Sequence, residues 1–128
     1  MPHQRFRTTQ ATAAAGGYSR AVLAGKTLYL AGQTGIGLDG SPPAPGDPAA
    51  QARRACENIK TLLEEAGGDL SCVVKLVNYV TDRAHRAPVY EVVAEYFGAH
   101  LPASTGLIVD GLASADMLVE IDATAVLP

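Results

Sequence analysis

A shortage of helices relative to apolar strands is the feature that most constrains this chain. Two stretches carry apolar residues at helical spacing. The first begins at Asp47, a residue type that caps helices, continues through Pro48 and ends at Gly67–Gly68. The second runs from about Ala87 to Ala99, with Pro88 in its first turn. Since two helices cover only one face of a sheet, the pattern predicts an α+β fold with its helices on one side.

Several of the predicted strands are apolar on both faces, which leaves an apolar side of the sheet without a cover. In the valine-rich strand, Val74, Leu76 and Val80 are assigned to the helix-facing side. Because an exposed apolar sheet invites aggregation, we expect a second copy of the same chain to cover it, and therefore a homo-oligomer. The five or six strands of this mixed sheet are predicted near residues 5–8 (the additional strand), 19–23, 27–31, 71–81, 105–109 and 118–126.

Length, charge and cysteine usage exclude several classes of function. The 128 residues suffice for one domain, residues 1–128, with its own core. The net charge is −3 and the basic residues form no run, so neither nucleic acid nor a membrane surface is expected as a partner. No stretch approaches the roughly 20 apolar residues that cross a bilayer, and residues 1–10 lack an apolar leader, so we expect a cytoplasmic protein. Cys56 and Cys72 lack metal-ligand spacing and are interpreted as buried free thiols.

Glu120 is the charged residue that stands out as a candidate for chemistry. The motifs of phosphate-binding loops, zinc proteases and serine hydrolases are absent from the sequence. Glu120 lies in mid-strand between Val119 and Ile121, on the face that the helices leave free. Partial desolvation there would raise the pKa of its carboxyl group and suit it to proton transfer. A structural ion pair is an equally open interpretation, and Asp122 shares the same face.

Six short segments become recognisable when they are taken together. They are G-G-Y-S-R-A-V (16–22), L-A-G-Q-T-G (30–35), Q-A-R-R-A-C-E-N-I (51–59), V-V-K-L-V-N-Y-V-T-D (73–82), L-P-A-S-T (101–105) and V-E-I-D-A-T-A (119–125). In this order, over nearly the whole chain, they resemble the Rid family, also called YjgF. The resemblance implies a chorismate-mutase-like fold assembled as a homotrimer, with a cleft between neighbouring protomers. It also implies hydrolysis of reactive enamines and imines to ketones and ammonia, without metal or cofactor.

The site residues of this family carry over in part. In the family an arginine binds the substrate carboxylate and a glutamate handles the water. Glu120 and Tyr18 match the family pattern, which implies catalytic roles in activating water and orienting the substrate. The arginine, however, is replaced by Ser104, which can offer at most a neutral hydrogen bond. The substrate-binding candidates at the family's other positions are Ala31, which replaces a serine, Gly32, Ser104 and Thr105.

The missing guanidinium group leaves the substrate and the function open. Arg20 follows Tyr18 by two positions and so shares its strand face, which makes Arg20 a further substrate-binding candidate. A solvated or interface arginine is the alternative interpretation. Gly106 stands where many members have a cysteine. The favoured function is a Rid-like hydrolase acting on a C=N or enamine bond of a small-molecule substrate, and a substrate without a carboxylate is one of the options. The alternative is a homotrimer that binds small molecules without catalysis, and the acidic charge disfavours a nuclease.

Overall fold

The computed structural model describes residues 3–6 and 17–128 of the chain. This described part contains six β-strands and two α-helices. In chain order they are β1 (His3–Phe6), β2 (Ala21–Ala24), β3 (Thr27–Leu30), α1 (Pro48–Glu65), β4 (Val73–Val80), α2 (Arg86–Phe97), β5 (Ala103–Ile108) and β6 (Val119–Val126).

All six strands join in one sheet, in the order β1-β2-β3-β6-β4-β5. Neighbouring strands are antiparallel except β4 and β5, which run parallel. The two helices pack against each other, and α1 lies against β6 in the middle of the sheet. Leu76 and Ile121 of the sheet and Ile59 of α1 are buried in the resulting core, and each such side chain contributes about 1.5–3 kcal/mol through burial. The prediction of a mixed sheet with both helices on one face is confirmed.

Helix α1 begins and ends at the residues that its sequence predicts. The carboxylate of Asp47 accepts a hydrogen bond from the backbone N–H of Ala50 at 3.0 Å, which satisfies one of the free donors of the first turn. Pro48 follows as the first helical residue. Beyond the last turn, Gly67 has φ +93°, a backbone conformation that residues with a side chain rarely adopt, and the chain leaves the helix there.

The ends of the predicted strands differ by one or two residues from those in the structure: β2, for example, occupies Ala21–Ala24 rather than 19–23, and β5 occupies Ala103–Ile108 rather than 105–109. Strand β1, His3–Phe6, begins two residues before the predicted start at residue 5; Arg7 and Thr8 of the predicted strand lie outside the described residues. Strand β4 begins at Val73 rather than at residue 71, because Leu70–Cys72 forms a short 3-10 turn. The carboxylate of Asp69 caps that turn by accepting the N–H of Ser71 at 2.9 Å. Local capping therefore overrides the β-propensity of the segment.

The assignment of Val74 to the helix-facing side of β4 is wrong. The pairing of β4 with β6 shifts by one residue between Val73 and Lys75, as a β-bulge does. Val73 is buried on the helix-facing side at 3% exposure, whereas Val74 is 47% exposed. A bulge inverts the alternation of side chains on one side of it, so a strictly alternating reading of the sequence fails at this position.

Two loops are held against α1 by one buried side chain, that of Gln51. Its Nε2 donates hydrogen bonds to the carbonyl oxygens of Ala44 at 2.8 Å and Asp116 at 3.0 Å, and its Oε1 accepts the N–H of Leu118 at 2.9 Å. A Cβ at Gly35 would lie 2.7 Å from Cγ of Gln51, so the first loop lies directly on this side chain. Gln51 thereby fixes the loops that follow β3 and precede β6.

We expect replacement of Gln51 by methionine, which keeps the volume and removes the amide, to lower the free energy of unfolding by about 2–3 kcal/mol. The reason is that the carbonyl groups of Ala44 and Asp116 and the N–H of Leu118 lose their partners. Urea unfolding measures the change. The matched control is Lys60→Met on the exposed side of α1, which should stay within about 0.5 kcal/mol of the parent. Equal losses in the two variants would contradict this role of Gln51.

Candidate functional site

A cavity of about 230 Å³ opens beside the middle of β6, where four segments of the chain meet. One wall comes from the residues just before β2, a second from those just after β3 and a third from the loop that precedes β6. The lining residues are Tyr18, Arg20, Gly32, Gln33, Thr34, Ile36, Ala113, Met117 and Glu120. The cavity thus gathers Glu120, Tyr18, Arg20 and Gly32 from the sequence-predicted set. Its apolar wall, Ile36, Ala113 and Met117, was not predicted, because it lies in loops without periodicity.

Gly32 allows two carboxylates to lie directly against the backbone. A Cβ at this position would overlap Oε2 of Glu120 and would lie 2.6 Å from Oδ1 of Asp122. The neighbouring Gln33 fastens the segment to β6: its N–H donates to Ile121 O at 2.9 Å and its carbonyl accepts the N–H of Ile121 at 2.8 Å. Glycine is therefore required at residue 32 if Glu120 is to point into the cavity from β6.

Glu120 has the electrostatic environment of a group that can hold or release a proton. Its side chain is half-buried, and that burial is the largest cause that raises the pKa of its carboxyl group. The charge of Asp122 is the second cause. Asp122 itself is held in place by the hydroxyl of Tyr79, which donates to its Oδ2 at 3.2 Å. The arrangement therefore favours the protonated form of Glu120 relative to an exposed glutamate.

Tyr18 and Arg20 reach the cavity from the same side of the sheet. Tyr18 is half-exposed at the rim, whereas Arg20 is buried at 7% exposure. The backbone of Arg20 is fixed between two strands, because its N–H donates to Phe6 O at 3.0 Å and its carbonyl accepts the N–H of Ala31 at 2.8 Å. Ala31 is half-buried next to Gly32 and has no polar side chain to offer.

Ser104 and Thr105 do not reach this cavity in the structure. Ser104 lies on the helix-facing side of β5, where its Oγ accepts a hydrogen bond from Asn78 Nδ2 at 3.1 Å. It lines a second, largely apolar cavity of about 220 Å³ under α2. Thr105 points to the opposite side of the sheet, where its hydroxyl accepts from Lys75 Nζ at 2.8 Å. The sequence-predicted residues therefore fall into two groups on different parts of the molecule.

Tyr90 is a residue of the second cavity that sequence reasoning missed. Its ring belongs to α2, and its hydroxyl fills the space that a side chain at Gly106 would need, since Cζ of Tyr90 would lie 2.9 Å from a Cβ there. The guanidinium group of Arg86 lies over the ring at 5.1 Å from its centre. The glycine at residue 106, in place of the cysteine of many Rid proteins, was the one signal in the sequence.

Thiol and metal sites are a separate question from the two cavities. Cys56 and Cys72 are both free, the first buried and the second half-buried, and burial raises the pKa of Cys56 to about 12. Within residues 3–6 and 17–128, no cluster of three or more His, Cys, Asp and Glu side chains is arranged to hold a metal ion. In the same part of the chain, neither helix has the length and apolar character to cross a membrane.

Replacing Asp122 by asparagine is expected to lower the pKa of Glu120, because one of the two causes of its elevation is removed. A raised carboxyl pKa stabilises the fold at a pH below its ordinary value, and that contribution is lost as the pH rises through the raised value. As the pH rises from the ordinary glutamate pKa to the raised one, Asp122→Asn should therefore lose less stability than the parent. Carbon-13 NMR titration of the glutamate carboxyl groups measures the pKa, with Glu65→Gln at the exposed end of α1 as control. An unchanged titration of Glu120 in Asp122→Asn would contradict the assignment.

Comparison with known proteins places the chain among relatives along nearly its full length. The family model described as "Endoribonuclease L-PSP" matches residues 8–127. A RutC family protein of Pyrococcus abyssi is 39% identical over 125 residues, which cover 98% of each chain. The 2-iminobutanoate/2-iminopropanoate deaminase of Rattus norvegicus is 36% identical over 119 residues, covering 93% of this chain and 86% of that protein.

Solved structures give the same result at the level of the fold. The structure of a Mycobacterium tuberculosis member of the YjgF/YER057c/UK114 family superposes with a TM-score of 0.86 at 35% identity, covering 98% of this chain and 99% of that one. RidA from Psychrobacter also gives a TM-score of 0.86 at 35% identity, covering 97% and 99%. The family model, the relatives and the fold agree with the resemblance seen in the sequence, and the chain belongs to the Rid (YjgF) family.

Proposed function

We propose that this protein is a cofactor-free hydrolase of imines or enamines, with Glu120 as the group that transfers protons. The observation that carries the proposal is the half-buried Glu120 carboxyl group of raised pKa, held over Gly32 in a small cavity. Relatives that carry the name 2-iminobutanoate/2-iminopropanoate deaminase support the reaction class at about a third identity. The reaction converts a C=N bond and one water molecule into a C=O bond and ammonia.

Proton transfers define what Glu120 would do in each step. The oxygen of water attacks the carbon of the C=N bond, the π electron pair moves to nitrogen, and Glu120 delivers or accepts the accompanying proton. The tetrahedral aminoalcohol then collapses, with the nitrogen protonated and released as ammonia. A raised pKa makes the carboxylate of Glu120 a stronger base than an exposed glutamate, which suits it to accept the proton of the attacking water and return it to the departing nitrogen. Tyr18 at the rim would orient the substrate through its hydroxyl.

Ser104 and Thr105 enter the proposal through assembly of three chains. The helix-free face of the sheet is apolar at several exposed positions: Tyr29 is 54%, Leu107 45% and Val126 44% exposed. We infer that a homotrimer covers this face. It would bring the edge strand β5 of one protomer, which carries Ser104, to the cavity lined by Glu120 in the next protomer, here called the Glu120 cavity. Ala31 and Gly32 would then border the substrate from the protomer that supplies Glu120, and Ser104 and Thr105 from its neighbour.

The Glu120→Gln variant is expected to lose imine hydrolysis by about 100-fold or more, because an amide neither donates nor accepts the required proton. Generating 2-aminoacrylate enzymatically, beside neutral imines, and following ketone release measures the rate. The matched control is Glu64→Gln on the exposed side of α1, which should hydrolyse at the parental rate. Parental hydrolysis by Glu120→Gln would exclude this mechanism. Ligand binding without turnover in the parent protein would instead support a binding protein that has lost catalysis.

Leu107→Asp is expected to dissociate or unfold the protein, because it places a charge in a face that the proposed trimer buries. Sedimentation equilibrium measures the mass: the parent should have the mass of three 13.2 kDa chains, and the variant that of one. Lys60→Asp on the exposed side of α1 should leave the trimer intact. A parent protein that is monomeric at micromolar concentration would contradict the shared cleft.

A further inference from the structure

Arg20 is a buried charge in the Glu120 cavity that the proposed reaction does not use. It is 7% exposed, and its Nε has no hydrogen-bond partner. The ion pair within 4.0 Å seen among residues 3–6 and 17–128 joins Arg53 to Glu95, so it does not involve Arg20. Residues 1–2 and 7–16, which lie outside the described part of the chain, contain no aspartate or glutamate that could pair with Arg20. The guanidinium group therefore lines the cavity without an anionic partner from its own chain.

Burial makes this situation costly for an arginine. The guanidinium group keeps its charge at any physiological pH and carries five N–H donors in one plane. A buried charge in a folded protein is ordinarily paired, because its lost hydration must be replaced. The backbone of Arg20 is hydrogen-bonded on both sides, to Phe6 and Ala31, which limits its freedom to move toward solvent. An anion from outside the chain is the partner that the arrangement lacks.

Glu120 does not fill that role, although it lines the same cavity. An ion pair with an arginine would lower the pKa of the carboxyl group, whereas the pKa of Glu120 is raised, by burial and by Asp122. No pairing of the two side chains within 4.0 Å is present. The cavity thus holds a cation and a proton-transfer group that remain separate, with space between its walls for a small molecule.

We propose that Arg20, which precedes β2, is the residue that binds the carboxylate of an acidic ligand in this cavity. This inference rests on the proposed function, since it places the reacting C=N bond beside Glu120 and the carboxylate on Arg20. The side chain of such an acid would contact Ile36 and Met117, the apolar wall of the cavity. Ser104 of β5 cannot supply a positive charge. Arg20, which directly precedes β2, supplies it instead, from the same protomer as Glu120.

Binding of an acid and of its neutral counterpart tests this role without any turnover. The probes are 2-oxobutanoate and 2-butanone, with affinity measured by calorimetry and by thermal shift. Parent protein should bind 2-oxobutanoate, and Arg20→Met should weaken that binding by about 30-fold or more while leaving 2-butanone unchanged. Arg20→Lys keeps a charge but loses the planar pair of donors, so its affinity for 2-oxobutanoate should lie between those of the parent and of Arg20→Met. The matched control is Arg54→Met on the exposed side of α1, which should bind as the parent does.

Two further measurements separate this inference from the proposed reaction and from a merely structural role. Glu120→Gln should still bind 2-oxobutanoate, so a failure of catalysis leaves the assignment of Arg20 testable. If Arg20→Met folds poorly, two measurements still test the proposal. They are the affinity of Arg20→Lys for 2-oxobutanoate and the preference of the parent for 2-oxobutanoate over 2-butanone. Unchanged 2-oxobutanoate affinity in Arg20→Met, or equal stabilisation of the parent by inorganic phosphate, would overturn the proposal of a carboxylate site.

Discussion

The carboxamide of Gln51 is the interaction on which the geometry of this molecule most depends. Neither the loop after β3 nor the loop before β6 has regular structure, and both form walls of the Glu120 cavity. Three hydrogen bonds from one fully buried side chain fix both loops to α1. Asn58, two helical turns further on the same side, adds a bond from its Nδ2 to Ile36 O at 2.8 Å. Helix α1 therefore shapes the cavity, although it contributes no residue to its lining.

Much of the fold followed from local rules that operate within a few residues. Asp47 and Pro48 identify the start of α1 because capping depends only on neighbouring N–H groups. The strict alternation of β6 identifies Glu120 as a residue of the helix-free face, because no bulge interrupts that strand between Val119 and Val126. In β4 a bulge does interrupt the pattern, and the side of Val74 was assigned wrongly. The prediction succeeded where periodicity was continuous.

The cavity was less accessible to sequence reasoning, for a physical reason. Whether Arg20 is solvated or buried depends on strand pairing with β1 and on the segment after β3, which are distant in sequence. The contribution of Met117 depends on a loop held by hydrogen bonds rather than by an apolar pattern. The proximity of Gly32 to two carboxylates likewise appears only once β3 and β6 are placed side by side. Long-range contacts of this kind have no signature in a short window of sequence.

The hydroxyl of Tyr90, which fills the space above Gly106, has a consequence for how this sequence can evolve. A larger residue at position 106 requires the side chain of Tyr90 to move, and loss of the tyrosine alone would leave a void beside Ser104. The effects of substitutions at the two positions on stability are therefore coupled. A side chain at residue 106, cysteine included, can therefore be accommodated only together with a movement or a replacement of Tyr90.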